Sequence, residues 1–226
     1  MRHILNIAHR GFTKRLPGNT LEAFEAAIEL GVDGIECDVQ ETADCEFILF
    51  HDTELVGNDI TRLRSTQIKE VMLENRFNIP TLEEALELCK TRVKLIIDVK
   101  RLRSFDRFAR LLRSRPDLDS LVVSSFDQDL VLRLSYLAPD IRKGVILDSP
   151  AADPFAVIKS ALSDTIVMRF PFVDMDLVDY IHRHNSYIFV WGCADLGDIR
   201  KTLRLDIDGI ISDFPDLVLH ELRTMS

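Results

Sequence analysis

The chain has 226 residues, 46% of them hydrophobic, with a formal net charge of −9; that is enough for one sizeable core in a single domain, near the short end for eight repeated units. An acidic surface repels a polyanion, which argues against general nucleic-acid binding and leaves any phosphate recognition to a local cluster of cations. Cys37, Cys45, Cys89 and Cys193 have no paired or finger-like spacing and read as reduced thiols of a cytoplasmic protein, while Met1–Ala8 is too short and polar for a secretory core and no stretch approaches the roughly 20 apolar residues of a membrane span.

Along the chain, Ile4–Ala8 reads as the first strand. Pro17 ends the next loop, and Asn19 with Glu22 forms a capping pattern before a helix over Leu21–Leu30, whose Leu21, Phe24, Ala27 and Ile28 make one apolar stripe. Gly31 supplies a left-handed cap, and Gly34–Gln40 is the second strand. Phe47–Phe50 follows a polar turn, Thr42–Glu46, too closely to be reached by a crossover helix, so a hairpin is expected. A turn centred near Ala43-Asp44 makes facing positions sum to about 87 and sets His51 beside Glu36. Asp52–Asn78 is polar and weakly periodic, a loop insertion with one helical turn around Ser65–Val71. After it come a helix over Leu82–Lys90, entered at Pro80-Thr81, and strand Val93–Lys100. Helix Phe105–Arg113, strand Leu121–Ser125, helix Gln128–Leu137, strand Lys143–Leu147 and helix Pro154–Ala161 continue the alternation. Strand Thr165–Arg169, helix Met175–His184, strand Tyr187–Trp191, helix Leu196–Leu203, strand Gly209–Ser212 and helix Asp216–Leu222 complete it. Eight βα units of this kind predict an α/β fold around a parallel sheet, one domain over 1–226 with a hairpin and short insertion between 41 and 80.

In a βα barrel the chemistry gathers at the carboxyl ends of the strands. There the sequence places His9-Arg10-Gly11, Glu36-Cys37-Asp38, His51-Asp52 and Asp98-Val99-Lys100. Side chains alternate along a strand, so Glu36 and Asp38 share a face, as do Asp98 and Lys100. Adjacent carboxylates aimed into a barrel mouth repel unless neutralised. With Asp98 as a third oxygen ligand, Glu36 and Asp38 suit a hard divalent ion, Mg²⁺ or Ca²⁺, rather than zinc. His9 and His51 are candidates for a proton-transferring pair, and Arg10 and Lys100 for contacts to an anionic substrate.

These residues resemble the signature of the glycerophosphodiester phosphodiesterase family. His9-Arg10-Gly11, Pro17-x-Asn19-Thr20-Leu21-Glu22-Ala23-Phe24, Asp33-Gly34-Ile35-Glu36-x-Asp38-Val39 and His51-Asp52 match it in order and spacing. Ile97-Asp98-Val99-Lys100, Ser125-Phe126, Val190-Trp191 and Asp208-Gly209-Ile210-Ile211-Ser212-Asp213-Phe214-Pro215 are similar too, so the likeness spans nearly the whole chain. The resemblance implies a TIM (β/α)8 barrel and a divalent metal on Glu36 and Asp38. It implies His9 and His51 as acid and base, phosphate contacts at Arg10 and Lys100, and hydrolysis of glycerophosphodiesters to glycerol 3-phosphate and an alcohol. The chain departs from the pattern at Gly18, where glutamate is usual, at Asp98 in place of glutamate, and at Cys45 in place of a turn glycine. A segment after His51 is also shortened.

Other readings stand beside these. Arg10 and Lys100 also read as counterions of the carboxylates, and Phe126 and Trp191 as core packing or as the wall of a substrate pocket. Asp213 is expected to fix the turn before Pro215, and Asp52 to brace His51 or its loop. His182, His184 and His220 read as surface residues, and the basic run Lys100–Arg115 as a solvated helix face. Two further functions remain open: a phosphodiesterase acting on lysophospholipids or another diester, and a silent barrel that binds phosphate esters.

Overall fold

The computed structural model describes residues 3–75 and 78–225. In chain order the elements are β1 (Leu5–His9), α1 (Leu21–Leu30), β2 (Gly34–Glu41), β3 (Phe47–Leu49), β4 (Glu54–Leu55), β5 (Asn58–Asp59), α2 (Ser65–Asn75), α3 (Leu82–Cys89), β6 (Lys94–Arg101), α4 (Phe105–Arg113), β7 (Leu121–Ser125), α5 (Gln128–Leu137), β8 (Arg142–Leu147), α6 (Pro154–Ser160), β9 (Thr165–Arg169), α7 (Met175–Arg183), β10 (Tyr187–Trp191), α8 (Leu196–Leu203), β11 (Gly209–Ser212) and α9 (Pro215–Met225). The expected strands and helices are all present, with ends that differ by at most a few residues.

Strands β1, β2 and β6 to β11 pair in parallel around a closed ring, β11 returning to β1 with Ala8 opposite Ser212. This is a TIM barrel with helices between strands. The two-residue strand period sorts the side chains: Ile7, Ile96, Val122, Ile146, Val167, Phe189 and Ile211 fill the interior. Their neighbours, such as Cys37, Ile97, Met168 and Val190, pack outward under the helices. Both faces of β2 are covered, so it is buried from end to end although its residues alternate: Ile35, Cys37 and Val39 pack outward, and Glu36 and Asp38 face the barrel interior. Among the described residues no helix is long and apolar enough to cross a membrane.

Asp127, Asp153, Asp174 and Asp195 cap α5 to α8, each carboxylate accepting from an otherwise unpaired N–H of the first turn. At α1 the cap is Thr20, not Asn19 as expected: Thr20 Oγ1 accepts from Ala23 N, and Asn19 has a left-handed backbone. The Asn19 side chain is used elsewhere, as described below.

The hairpin forms, but one position away from the expected register: Val39 faces Leu49, Gln40 faces Ile48 and Glu41 faces Phe47. The loop is Ala43-Asp44-Cys45, with Cys45 N donating to Thr42 O, Thr42 N to Glu46 O, and Cys45 at φ +65°. A three-residue loop ending in a left-handed residue shifts the pairing relative to a two-residue turn. His51 therefore does not sit across the ladder from Glu36; the pairing has ended before it, after Phe50 N donates to Asp38 O.

The insertion is more ordered than its composition suggests. Leu55, Ile60, Ile68 and Ile79 form a small core on Ile48, and α2 extends to Asn75 instead of making one turn. Asp44 in the hairpin loop accepts from Ser65 N and Ser65 Oγ, so it supplies the missing partner at the start of α2. Arg76 and Phe77 lie outside the described residues. The basic run is not merely solvated: Arg101 pairs with Asp59, Arg107 with Glu46, Arg113 with Asp140 and Arg115 with Asp117, and Arg103 donates to Thr42 O. His182 is likewise not a surface residue, its ring being 11% exposed and bonded to Asp208.

Candidate active site

The carboxyl end of β1 turns sharply. Arg10 and Gly11 both have positive φ, and a Cβ on Gly11 would stand 2.7 Å from the Ala23 carbonyl. Only glycine allows α1 to pass this close. Arg10 N donates to Glu36 O at 2.8 Å, which ties the turn to β2.

On β2, Glu36 and Asp38 face inward, and Asp98 on β6 is the register partner of Asp38. One ligand oxygen from each of these three buried residues lies within 4.8 Å of the others. Asp38 is the best compensated. Asn19 Nδ2 donates to its Oδ2 at 2.8 Å, Lys100 Nζ lies 2.9 Å from Oδ1, and Arg10 Nε is 2.8 Å from Oδ2. Burial works to raise its pKa, but Lys100, Arg10 and Asn19 outweigh it and hold the carboxyl below the usual range. Asp98 pairs with Lys100 at 2.5 Å, yet burial leaves its pKa raised, and its Oδ1 is buried without a partner among the described residues. Glu36 is worst placed: burial and then the charge of Asp38 push it up to about 8.

Three crowded, desolvated carboxylates with an orphaned oxygen form a donor set that could hold a cation. All donors are oxygen and no thiol joins them, so the residues fit a hard divalent ion.

The two imidazoles flank this cluster. His9 Nδ1 lies 2.6 Å from Asp213 Oδ1, and its Nε2 is 3.8 Å from Glu36 Oε2. Burial would lower the His9 pKa, but the Asp213 hydrogen bond and the Glu36 charge prevail and raise it. His51 has the same arrangement in a more open position, with Nδ1 2.8 Å from Asp52 Oδ1. In each case a carboxylate holds Nδ1 and leaves Nε2 for other contacts.

His9, Arg10, Glu36, Asp38, His51, Asp98, Lys100, Phe126 and Trp191 all line one cavity of about 160 Å³, together with Ser124, Ile146, Val167 and Ile211. Every residue chosen from the sequence is thus brought to one place. Phe126 and Trp191 are in edge-to-face contact at 6.0 Å; both line the cavity, and Trp191 also packs against the barrel-interior core. Gly18 also has a local reason, since a Cβ there would come within 2.9 Å of Arg10 Cβ. A larger hollow of about 700 Å³ at the other end of β7, β8 and β9 includes Lys143, which caps the end of α5 through Ala138 O and Ile141 O, but no histidine.

Two site residues escaped the sequence reading. Asp213 was expected to fix the turn before Pro215; in the structure its carboxylate holds His9. The register of β1 on β11 places it one step beyond the Ala8–Ser212 pair, hence beside His9, a signal available only once the ring is known to close. Asn19 was read as a helix cap but braces Asp38 from both sides, donating to its carboxylate and accepting from its backbone N.

Fold and site together define a barrel whose mouth combines a cluster of three carboxylates with two carboxylate-held imidazoles. The chain belongs to the glycerophosphoryl diester phosphodiesterase family, whose model matches residues 9–217. It is 27% identical to a glycerophosphodiester phosphodiesterase of Caldanaerobacter subterraneus subsp. tengcongensis over 97% of this chain and 98% of that one. A glycerophosphodiester phosphodiesterase of Bacillus altitudinis is 29% identical over 92% of this chain and 94% of its own length. The structure of an Oleispira antarctica phosphodiesterase in complex with the product sn-glycerol-3-phosphate superposes with a TM-score of 0.86 at 22% identity, covering 96% of each chain.

Proposed function

We propose that the chain, acting as one domain, hydrolyses glycerophosphodiesters to glycerol 3-phosphate and an alcohol. The observation that carries this reading is the convergence of Glu36, Asp38 and Asp98, with the unpartnered Asp98 Oδ1, on the cavity that also receives His9 and His51. Glu36, Asp38 and Asp98 would hold the divalent ion, Mg²⁺ or Ca²⁺. When bound, such an ion supplies positive charge against the phosphoryl oxygens.

Arg10 and Lys100, already gathered at Asp38, are the protein's own cations for those oxygens. His51 takes the proton from the glycerol hydroxyl next to the ester, whose oxygen then bonds to phosphorus. His9, its Nδ1 held by Asp213, gives a proton from Nε2 to the departing alkoxide as its P–O bond breaks. The roles reverse when water opens the resulting cyclic phosphate, so the two steps together consume one water and return both rings to their starting states. Phe126 and Trp191 form the apolar wall that limits water around the reacting ester.

A lysophospholipid substrate has an observation of its own: Phe126, Phe172 and Phe214 are exposed on loops that follow β7, β9 and β11, and Met175 at the start of α7, at the end of the barrel where the cavity opens. Turnover of glycerophosphocholine, glycerophosphoethanolamine and lysophosphatidylcholine, each with and without chelator, tests both readings. Chelator-sensitive release of glycerol 3-phosphate is expected from the first two. Turnover of the lipid alone would replace the proposed substrate, and binding without product would replace catalysis altogether.

A further inference from the structure

Arg169 is the last residue of β9. Counting by twos from Val167, which lines the cavity, its side chain belongs to the inward set of the barrel. In the ring, β9 stands across from β2, the strand that carries Glu36 and Asp38. The Arg169 stem packs along Gly192, where a Cβ would meet its Cγ at 3.4 Å, and the guanidinium lies 5.6 Å from the centre of the Trp191 ring.

This arginine is exposed and makes no ion pair among the described residues. Arg10 and Lys100, by contrast, are already shared with the carboxylates on the opposite wall. Of the acidic groups on neighbouring loops, Asp127 caps α5, Asp195 caps α8 and Asp213 holds His9, while Asp148, one step beyond the Leu147–Met168 pair, accepts from Ser149 Oγ and makes no ion pair with Arg169 among the described residues. A guanidinium without an ion pair among the described residues therefore stands beside Trp191, at the rim of the cavity on the side remote from the proposed reacting centre.

The aromatic walls point the same way. A quaternary ammonium is recognised by the face of an aromatic ring. Here Trp191 has Arg169 at 5.6 Å and Phe126 has the Lys100 ammonium at 5.7 Å. Both rings that could receive a cationic alcohol are already beside a cation of the protein, and a second positive charge would be repelled.

We infer that Arg169 is a specificity residue that favours diesters whose leaving alcohol carries an anionic group and disfavours those whose alcohol is a quaternary ammonium. The inference rests on the phosphodiesterase reading above. An arm extending from phosphorus across the mouth meets Arg169, whose planar guanidinium suits a carboxylate or phosphate.

The test uses glycerophosphoinositol 4-phosphate, glycerophosphoinositol and glycerophosphocholine as anionic, neutral and cationic substrates for the wild type, Arg169→Gln and Arg169→Glu. In the wild type, kcat/KM should fall in that order. Arg169→Gln should reduce the anionic-to-neutral ratio by about ten- to hundredfold, chiefly through KM, the value expected for one charge-assisted contact. Arg169→Glu should raise the cationic-to-neutral ratio. Equal losses on all three substrates would mean that Arg169 touches the shared phosphoryl group, and would overturn the inference, as would an unchanged ratio. Wild-type turnover with no charge preference sinks the inference and spares the activity; no turnover of any diester sinks both.

Discussion

His9 and His51 reach the cavity under different shelter, and this decides what their replacement tests. The His51 side chain is 45% exposed and, among the described residues, bonded only to its neighbour Asp52, so His51→Ala should leave the melting temperature nearly unchanged, within about 0.5 kcal/mol of stability. Its kcat should fall by about 10² to 10⁴, the usual contribution of a positioned acid or base; turnover close to wild type would remove the proton-transfer role. Asp213→Asn acts through His9 and not on substrate. It keeps a side chain near Nδ1 but removes the charge that helps raise the His9 pKa, so kcat should drop by about tenfold or more with KM little changed. A loss confined to KM would make Asp213 a substrate contact instead. At this scale the sequence was informative where a residue's place follows from its own strand, as for Glu36, Asp38 and Asp98. It was silent where the partner arrives from the far end of the chain: 204 positions separate His9 from Asp213.

Among the elements, the hairpin and insertion show how a polar stretch can be ordered by a few contacts. Asp44 joins the β2–β3 loop to the first turn of α2, accepting from Thr42 Oγ1, Ser65 N and Ser65 Oγ. Asp44→Ala should loosen α2 by about 1 kcal/mol, as the loss of a helix cap does, seen as faster amide exchange in α2 with little change in β7 to β10. Although its slight burial acts to raise it, the Asp44 pKa is held down to about 2 by the Ser65 and Thr42 hydrogen bonds. A carboxyl whose folded pKa lies below its unfolded value stabilises the fold above the unfolded pKa and loses that effect as pH falls. Protection of α2 should therefore decline from about pH 4 toward pH 2 in the wild type, and be less pH-dependent in Asp44→Ala; parallel declines would exclude Asp44 as the cause. The eight barrel strands were legible because burial on both faces leaves compact β-branched runs between amphipathic helices. Of helix α2 only a turn around Ser65–Val71 was expected, the surrounding stretch being polar and weakly periodic, and the hairpin register turned on Cys45 adopting a left-handed backbone that glycine would have announced.

For the molecule as a whole, the closed ring concentrates negative charge that the fold alone only partly balances. Binding of Mg²⁺ or Ca²⁺ to Glu36, Asp38 and Asp98 should therefore stabilise the protein. At about 100 times the dissociation constant the gain is about 2.7 kcal/mol, or a rise of about 5 to 10 °C in Tm for a chain of this size. The rise should vanish on chelation and in Asp98→Ala; an identical shift in that variant would place the ion elsewhere. The amino-acid order by itself determined the alternation of strand and helix, the inward face of each strand and the residues at its carboxyl end, because these follow from periods of 2 and 3.6 within short segments. Only the tertiary structure decided which strand ends become neighbours. Closure of β11 on β1 brought Asp213 to His9, the pairing of β2 with β6 put Asp98 beside Asp38, and the breadth of the ring set Arg169 opposite them. Such meetings depend on how distant segments register against one another, which no local pattern encodes.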